Sequence, residues 1–288
     1  MKIYDRQNKT YIETAQYGQG KLEFLYGTAF GRILLKLVIS PFTSRLYGYY
    51  NSLPISAKKI PPFINEYNIK TEDFEQREYS SFNDFFTRKL RPGARFIDKN
   101  ADLLISPADS KLFVYDITDD LKVTIKGSVY TLDELVSERI NVPQYGEGLC
   151  LVFRLCMDDY HRYCFIDNGR ITDSFHIPGK FHTVSSISKA YKIYKENSRT
   201  VTVCETESFG SVIQIEVGAL LVGRIKNREV TAFVKGEEKG YFEPGGSTIV
   251  LLLEKNRAAI DSDILVQSKN GIETKVQYAE RIGKRINA

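Results

Sequence analysis

Apolar and polar positions follow two different patterns on either side of residue 100. Before it, apolar residues recur at helical spacing, most clearly in residues 22–42, "LEFLYGTAFGRILLKLVISPF". After it, short alternating or continuous apolar runs are separated by turn residues, as in "KLFVYDI", "LCLVFRL", "RTVTVCET" and "STIVLLLE". The pattern predicts an α+β protein, with a small helical N-terminal region, 1–100, and a β-rich body, 101–288.

The apolar segment 22–42 predicts an amphipathic helix. Arg32 and Lys36 are four residues apart and share one helical face, and they interrupt the segment too early for it to span a bilayer. The opposite face carries an apolar stripe, made of Phe30, Ile33, Leu34, Leu37 and Val38. Two interpretations stay open: the stripe packs on the core of a soluble domain, or the helix lies in a bilayer interface.

Charge is distributed unevenly along the chain. The net charge is only +4, but no acidic residue occurs between residues 24 and 65, where five basic residues fall: Arg32, Lys36, Arg45, Lys58 and Lys59. A basic, apolar segment with neighbouring tyrosines indicates an anionic membrane surface as partner rather than nucleic acid. We therefore expect a peripheral protein on the cytoplasmic side of the cell membrane.

Several classes of site and of destination are disfavoured by the sequence. The four cysteines form no C-x-x-C pair, so we expect free thiols in a reducing cytosol and no metal site. The first residues are polar throughout and contain no recognisable signal peptide. Neither a phosphate-binding loop nor a dinucleotide fingerprint occurs, so no nucleotide is expected, and the G-x-S-x-G elbow of α/β-hydrolases is also missing.

Candidate chemistry rests on a few residues. The chain has three histidines: His161, His176 and His182. Asp159 and His161 are two apart, so on a strand they share one face and the carboxylate could orient the imidazole. Asp109 lies in the turn-like "SPADSKL", and Ser247 directly follows Gly245 and Gly246. Taken singly, each motif has a purely structural explanation: Asp159 and His161 as a surface pair, Asp109 as a turn residue and Ser247 as part of a hairpin. An aspartate, a histidine and Ser247 would form a charge-relay set only if they converge in space.

Five ordered blocks resemble the phosphatidylserine decarboxylase family over nearly the whole chain. They are "FNDFFTRKLRPGARFID", "ISPADSKL", "RLCMDDYHRY", "IEVGALLVGRI" and "KGYFEPGGSTIVLLLE". The last block is the most specific, because its Gly-Gly-Ser-Thr form is similar to one branch of that family. The resemblance implies a proenzyme that cleaves itself between Gly246 and Ser247, leaving a β chain, 1–246, and an α chain, 247–288, that stay together.

The resemblance also implies the chemistry. Ser247 would end as an N-terminal pyruvoyl group, a covalent pyruvate that forms a Schiff base with the amine of phosphatidylserine and accepts the electrons left when CO2 departs. The product would be phosphatidylethanolamine, and no external cofactor would be needed. Two adjacent glycines suit this role, since they relax the backbone limits around the carbonyl that the Ser247 hydroxyl must attack.

One departure from the family pattern concerns the histidine of the implied Asp109–His–Ser247 triad. The family usually has D-Y-H-R-x-H, whereas this chain reads "DYHRYC", with His161 at the first position and Cys164 at the second. Three interpretations follow. His161 serves both cleavage and decarboxylation; His182 supplies the second imidazole; or Cys164 acts itself or leaves the enzyme impaired. Ser110, where the family usually has glycine, is a smaller departure.

Two other functions remain as alternatives at this level. One is a non-catalytic lipid-binding protein on the same scaffold, because the basic N-terminal helix does not depend on catalysis. The other is a serine hydrolase that uses Asp109, His161 and Ser247 without self-cleavage.

Overall fold

The computed structural model describes residues 2–13, 19–125, 128–180, 182, 193–219, 224–245 and 247–286. Its helices are α1 (Gln19–Gly27), α2 (Ala29–Val38), α3 (Pro41–Ser52), α4 (Ile60–Tyr67), α5 (Phe82–Phe86), α6 (Leu132–Val136), α7 (Ile193–Glu196) and α8 (Ser262–Lys269). Short 3-10 helices cover Pro54–Lys59, Thr71–Asp73 and Pro143–Tyr145.

The strands are β1 (Lys2–Asp5), β2 (Thr10–Glu13), β3 (Leu103–Ile105), β4 (Ser110–Asp116), β5 (Lys122–Ile125), β6 (Ser128–Thr131), β7 (Leu149–Leu155), β8 (Arg162–Cys164), β9 (Gly169–Ile177), β10 (Arg199–Thr206), β11 (Gly210–Gly218), β12 (Ile225–Asn227), β13 (Ala232–Phe233), β14 (Glu238–Phe242), β15 (Ser247–Leu253), β16 (Ala258–Ile260), β17 (Glu273–Val276) and β18 (Arg281–Arg285). Helices and a large β-rich body together confirm the predicted α+β class.

The main sheet has ten strands in the order β13-β9-β10-β11-β15-β7-β4-β17-β1-β2. Strand β15 lies in its interior, antiparallel to β11 on one side and to β7 on the other. Every residue of β15 is buried, because a strand covered on both faces can be apolar at every position. The run "STIVLLL" therefore forms the centre of the core.

Two three-stranded sheets accompany the main one, besides a two-stranded sheet of β5 and β6. Strands β12, β14 and β8 form the first, and β16, β18 and β3 form the second. In the first, β8 pairs with β14 so that Arg162 faces Tyr241. Since β14 runs directly toward β15, this small sheet brings the "DYHRYC" segment next to the start of the central strand.

The first two strands correct the predicted N-terminal region. The sequence prediction assigns residues 1–100 to one helical region, whereas β1 pairs in parallel with β17 and antiparallel with β2 inside the main sheet. Their polar side chains conceal this, because only Ile3 and Asp5 of β1 are buried. For helices α1 to α5, the division of the chain into two regions near residue 100 stays a prediction.

The segment 22–42 is not the single helix that its spacing predicts. Helix α1 ends at Gly27, and Thr28 then caps α2, its hydroxyl accepting the Gly31 N–H at 2.9 Å. Ser40 caps α3 in the same way, accepting from Thr43 N. A hydroxyl residue with extended backbone ends one helix and caps the next. Here this local effect outweighs the apolar periodicity, which alone would predict one continuous helix. Within the described part of the chain, no helix is long and apolar enough to span a membrane.

Candidate active site

Ser247 is the first residue of the central strand. It lies opposite Leu155 of β7 and Gly218 of β11, and it is completely buried. Among the described residues, its hydroxyl oxygen has no hydrogen-bond partner. A buried hydroxyl without a partner costs free energy, and the neighbouring Thr248 hydroxyl has the same property, so the position of Ser247 directly after the glycine pair is what distinguishes it.

The backbone before Ser247 has a conformation that favours glycine. Gly245 has a φ of 143°, a value that residues other than glycine rarely adopt. Gly246, the predicted acyl donor, lies outside the described residues. The left-handed backbone at Gly245 agrees with the expectation that this glycine pair lets the chain bend sharply ahead of the serine.

His161 lies beside this bend. Its carbonyl oxygen accepts the N–H of Phe242, the last residue of β14, at 3.0 Å. Its ring is fully buried and packs on the Phe86 ring, with centroids 4.1 Å apart. Nδ1 lies 2.9 Å from the Asp159 carbonyl oxygen, which can only accept, so Nδ1 carries the proton. Nε2 is then an unprotonated nitrogen, and it has no partner among the described residues.

Burial, reinforced by the positive charge of Arg88, lowers the pKa of His161 to about 3. The imidazole is therefore neutral at neutral pH, which is the state that a general base requires. It remains neutral far below the range in which a free histidine takes up a proton.

We expect this histidine to make the folded protein sensitive to mild acid. The unfolded chain binds a proton below about pH 6.5, but the folded chain does so only near pH 3, so stability is full above about pH 6.5 and declines by up to ~1.4 kcal/mol per unit below it. Urea unfolding of a Ser247→Ala chain, with and without His161→Gln, measures this. The variant should lose stability less steeply between about pH 7 and about pH 5. Equal slopes would contradict the neutral, buried imidazole.

Asp159 does not orient the imidazole through its carboxylate, as its spacing predicts. Both carboxylate oxygens instead bind the Lys111 ammonium, at 2.6 and 2.7 Å, and one also accepts the Cys156 N–H. Burial raises the pKa of Asp159 to about 6, while the carboxylate raises the pKa of Lys111 against the effect of burial. The residue orients His161 by its carbonyl instead. Cys156, Asp158 and Asp159 also cluster closely, but Lys111 already supplies the cation there.

Asp109 is likewise bound elsewhere. It accepts the Tyr278 N–H at 2.6 Å and pairs with Arg95 at 3.3 Å. No hydrogen bond joins it to His161 among the described residues, which therefore do not show the Asp–His–Ser relay that the resemblance implies. The reason lies in β8, whose Cys164 N–H binds the Pro107 carbonyl and sets Cys164, not His161, against the loop that carries Asp109.

Cys164 is poorly suited to act as a base. Its thiol is fully buried and lies 3.8 Å from the Ser106 carbonyl oxygen. Burial raises its pKa to about 12, so the thiolate is scarcely populated at neutral pH. The position at which the family pattern usually has its second histidine is therefore a small apolar residue here.

His182 lies on the other side of Ser247. Asn197 joins the two places: its amide donates to the His182 carbonyl at 2.8 Å and to the carbonyl of Gly218, which is opposite Ser247, at 2.7 Å. The ring is engaged with other groups, since Nδ1 lies 3.3 Å from the Tyr26 hydroxyl and Nε2 lies 3.6 Å from Glu196. Of the two histidines near Ser247, His161 is the one with an uncommitted nitrogen.

Comparison with known proteins identifies the family of the chain. A family model described as phosphatidylserine decarboxylase matches residues 82–284. A phosphatidylserine decarboxylase proenzyme 2 of Clostridium acetobutylicum is 53% identical over 284 residues, covering 98% of each chain. A phosphatidylserine decarboxylase proenzyme of Desulfitobacterium hafniense is 40% identical over 293 residues, covering 99% of this chain and 98% of its own.

The chain belongs to the phosphatidylserine decarboxylase family. This confirms the resemblance read from the five sequence blocks, and it makes the chain a decarboxylase. The matched region contains Asp109, His161, Cys164 and Ser247, so the site described above lies inside the family's shared part.

Sequence reasoning about this family member missed two charged residues near the site. Lys111 is a buried partner of Asp159, and Arg88 is a buried cation whose charge acts on His161. Both lie inside the sequence blocks that resemble the family. The available signal was a basic residue within an apolar run, as in "FNDFFTRKL" and "SKLFV", where a solvated lysine or arginine is not expected.

Proposed function

We propose that the chain is a self-processing, pyruvoyl-dependent enzyme that converts phosphatidylserine to phosphatidylethanolamine in phospholipid biosynthesis. One observation carries the proposal: at the family's cleavage block, the buried Ser247 hydroxyl and the buried His161 Nε2 both have no partner in the described chain. Self-cleavage requires a nucleophile and a neutral base that are not committed to other groups, and these two atoms meet that condition. The proenzyme names of the relatives support the same reading.

Self-cleavage uses groups of this chain alone. The Ser247 oxygen attacks the Gly246 carbonyl carbon as its proton passes to His161 Nε2, and the peptide C–N bond breaks to leave an ester and a free Ser247 amine. Removal of the Ser247 α-proton then expels the Gly246 carboxylate by breaking the Cβ–Oγ bond. Water then hydrolyses the resulting enamine, through its imine tautomer. This step releases ammonia and leaves a ketone. Burial of the site keeps water away from the ester. It thereby limits the side reaction in which hydrolysis of the ester would leave an unmodified Ser247.

The residues around Ser247 fit a small, uncharged, covalent group. The pyruvoyl ketone supplies an electrophile that takes up the substrate amine and accepts the electron pair released with CO2. The buried Leu155 lies directly opposite Ser247 on β7 and helps to exclude water. His161 stays within reach as the group that accepts and returns protons, because its backbone is fixed to β14 and its ring to Phe86.

The two chains would stay together after cleavage. The smaller one, 247–288, contributes β15 between β11 and β7, and β17 between β4 and β1. It also supplies β16 and β18 of the small sheet that contains β3. Cutting one peptide bond at the edge of this interleaved arrangement leaves its hydrogen bonds and core contacts in place.

Turnover of phosphatidylserine in detergent micelles tests the proposed function. We expect the purified protein to form phosphatidylethanolamine and CO2 without added cofactor. Release of free serine or of fatty acid would instead favour the hydrolase that uses Asp109, His161 and Ser247. Lipid binding without any product would favour the non-catalytic lipid-binding protein.

The N-terminal helices are proposed to hold the enzyme on an anionic membrane, at the cytoplasmic face. The apolar side chains of 22–42 that were predicted as a stripe point outward, with Phe30 at 69% and Ile33 at 65% exposure. Only a small cluster of Tyr26, Leu35 and Ile39 packs beneath them. We define the apolar patch as the exposed residues Phe30, Ile33, Leu37, Phe42, Leu46 and Tyr49.

Basic residues lie beside this patch. Arg32, Lys36 and Arg45 are exposed on the same helices, in a segment that has no acidic residue. An exposed apolar patch with a basic border is typical of a helix lying in a bilayer interface, because the rings enter the acyl boundary and the cations meet lipid phosphates.

We expect Ile33→Ser combined with Leu37→Ser to abolish most binding to phosphatidylserine vesicles. Each substitution removes an exposed apolar side chain that would be buried in lipid, and such burial contributes roughly 1.5–3 kcal/mol per side chain. Sedimentation with vesicles measures it. Val266→Ser is the matched control, since Val266 is about as exposed but lies on α8. Equal loss in both variants, or none in either, would contradict the proposed patch.

A further inference from the structure

Arg88 is a buried cation that has no ion-pair partner among the described residues. It follows α5 and is only 1% exposed. Its Nε and Nη2 make no hydrogen bond in the described part of the chain, and Nη1 reaches only the Phe85 carbonyl, at 3.4 Å. No carboxylate of the described residues forms an ion pair with it, although nearly every other buried cation of the body has one or is capped by carbonyls, as Lys111 and Lys235 are.

Aromatic rings hold this guanidinium in place. Its carbon lies 4.3 Å from the centre of the Phe74 ring and 4.9 Å from that of Phe85. Burial lowers its pKa, but only to about 10, so it remains charged at neutral pH. Cation–π contacts offset a part of the desolvation cost and leave the N–H fork unsatisfied. A charge kept in this state indicates that its counter-ion arrives with a ligand.

Arg88 lies close to His161, the proposed base. Phe86, two residues earlier, packs on the His161 ring. Arg162, which follows His161, donates from Nε to the Thr87 carbonyl at 2.9 Å and to the Arg88 carbonyl at 3.2 Å. The charge of Arg88 also contributes to the lowered pKa of His161. An anion bound at Arg88 would therefore lie beside the imidazole.

We propose that Arg88 binds the phosphodiester of the substrate headgroup and so positions the serine moiety at residue 247. The inference rests on the proposed function. The substrate carries two anions, but an arginine on the carboxylate would stabilise the ground state against loss of CO2. The phosphodiester keeps its charge throughout the reaction, and its two unesterified oxygens match Nε and Nη2, the guanidinium nitrogens that make no hydrogen bond among the described residues.

Arg88→Met and Arg88→Lys test this role, with Arg91→Met as control, because Arg91 is an exposed arginine of the same segment. In Arg88→Met we expect a KM for phosphatidylserine raised roughly 10- to 100-fold with little change in kcat, and a smaller rise in Arg88→Lys. Self-cleavage should proceed, and thermal stability should be equal or higher, since an unpaired buried charge has gone. A structural arginine would instead lower stability and leave KM unchanged.

A wild-type measurement keeps the proposal testable if Arg88→Met does not fold. Glycerophosphoethanolamine carries the phosphodiester without the carboxylate, and ethanolamine carries neither. We expect the first to inhibit the wild-type enzyme competitively and far more strongly than the second. Equal inhibition by the two, or an unchanged KM in Arg88→Met while the wild type forms phosphatidylethanolamine, would overturn this inference alone. Failure of the wild type to form that product would overturn the proposed function as well.

Discussion

Replacing Ser247 by alanine will leave a single uncleaved chain without decarboxylase activity. In the proposed mechanism the hydroxyl oxygen attacks the preceding carbonyl and is also the leaving atom of the later elimination, so alanine would block both steps. Loss should be complete within detection, because the neighbouring Thr248 hydroxyl lies on the opposite face of β15 and one residue further from the Gly246 carbonyl. Denaturing gel electrophoresis of the purified protein measures it.

The fold should survive this change, since the hydroxyl makes no hydrogen bond in the described structure. Removing a buried, partnerless oxygen is expected to leave stability unchanged or slightly higher. Ser211→Ala on the neighbouring strand is the control: it removes a bond to the Tyr145 hydroxyl, and the chain should still cleave. A Ser247→Ala chain that still splits would refute the assigned nucleophile.

Replacing His161 by alanine will slow self-cleavage by roughly 100- to 10,000-fold, the usual contribution of a general base. His161 is the histidine near Ser247 whose Nε2 is uncommitted and whose tautomer is set by the Asp159 carbonyl. The rate is measured by following the uncleaved chain with time after rapid synthesis. Thermal unfolding checks that loss of the Phe86 contact has not unfolded the protein.

His182→Ala is the matched control for this prediction. Both histidines are buried near Ser247, but the His182 ring is engaged by Tyr26 and Glu196. We therefore expect His182→Ala to split at nearly the normal rate. Normal splitting of His161→Ala together with failure of His182→Ala would reverse the assignment and make His182 the base.

The β-rich body could be predicted because its core strands are apolar at nearly every position. "STIVLLL" is bounded by Gly246 and by Glu254, and the structure gives it those limits as β15. The opening strand β1 could not be found in this way, since its short polar segment is stabilised by pairing with β17, from the other end of the chain. Long-range pairing of this kind leaves no local periodicity.

The candidate site was predictable as a set of residues but not as an arrangement. Ser247 and the glycines before it have a local signal, and the positive φ of Gly245 agrees with it. No local sequence signal indicated the partners of Asp109 and Asp159. Each carboxylate is bound by a cation distant in sequence, Arg95 or Lys111, and spacing along a strand does not reveal which cation will be buried beside it.

The central claim is that the chain cuts itself before Ser247 and converts this residue into a pyruvoyl group. Intact mass of the purified protein under denaturing conditions tests it most directly. The account predicts two fragments, 1–246 and 247–288, with the smaller one lighter by one NH3 than its sequence and blocked to N-terminal sequencing. A single chain of 32.9 kDa, or a smaller fragment that begins with an ordinary serine, would contradict it.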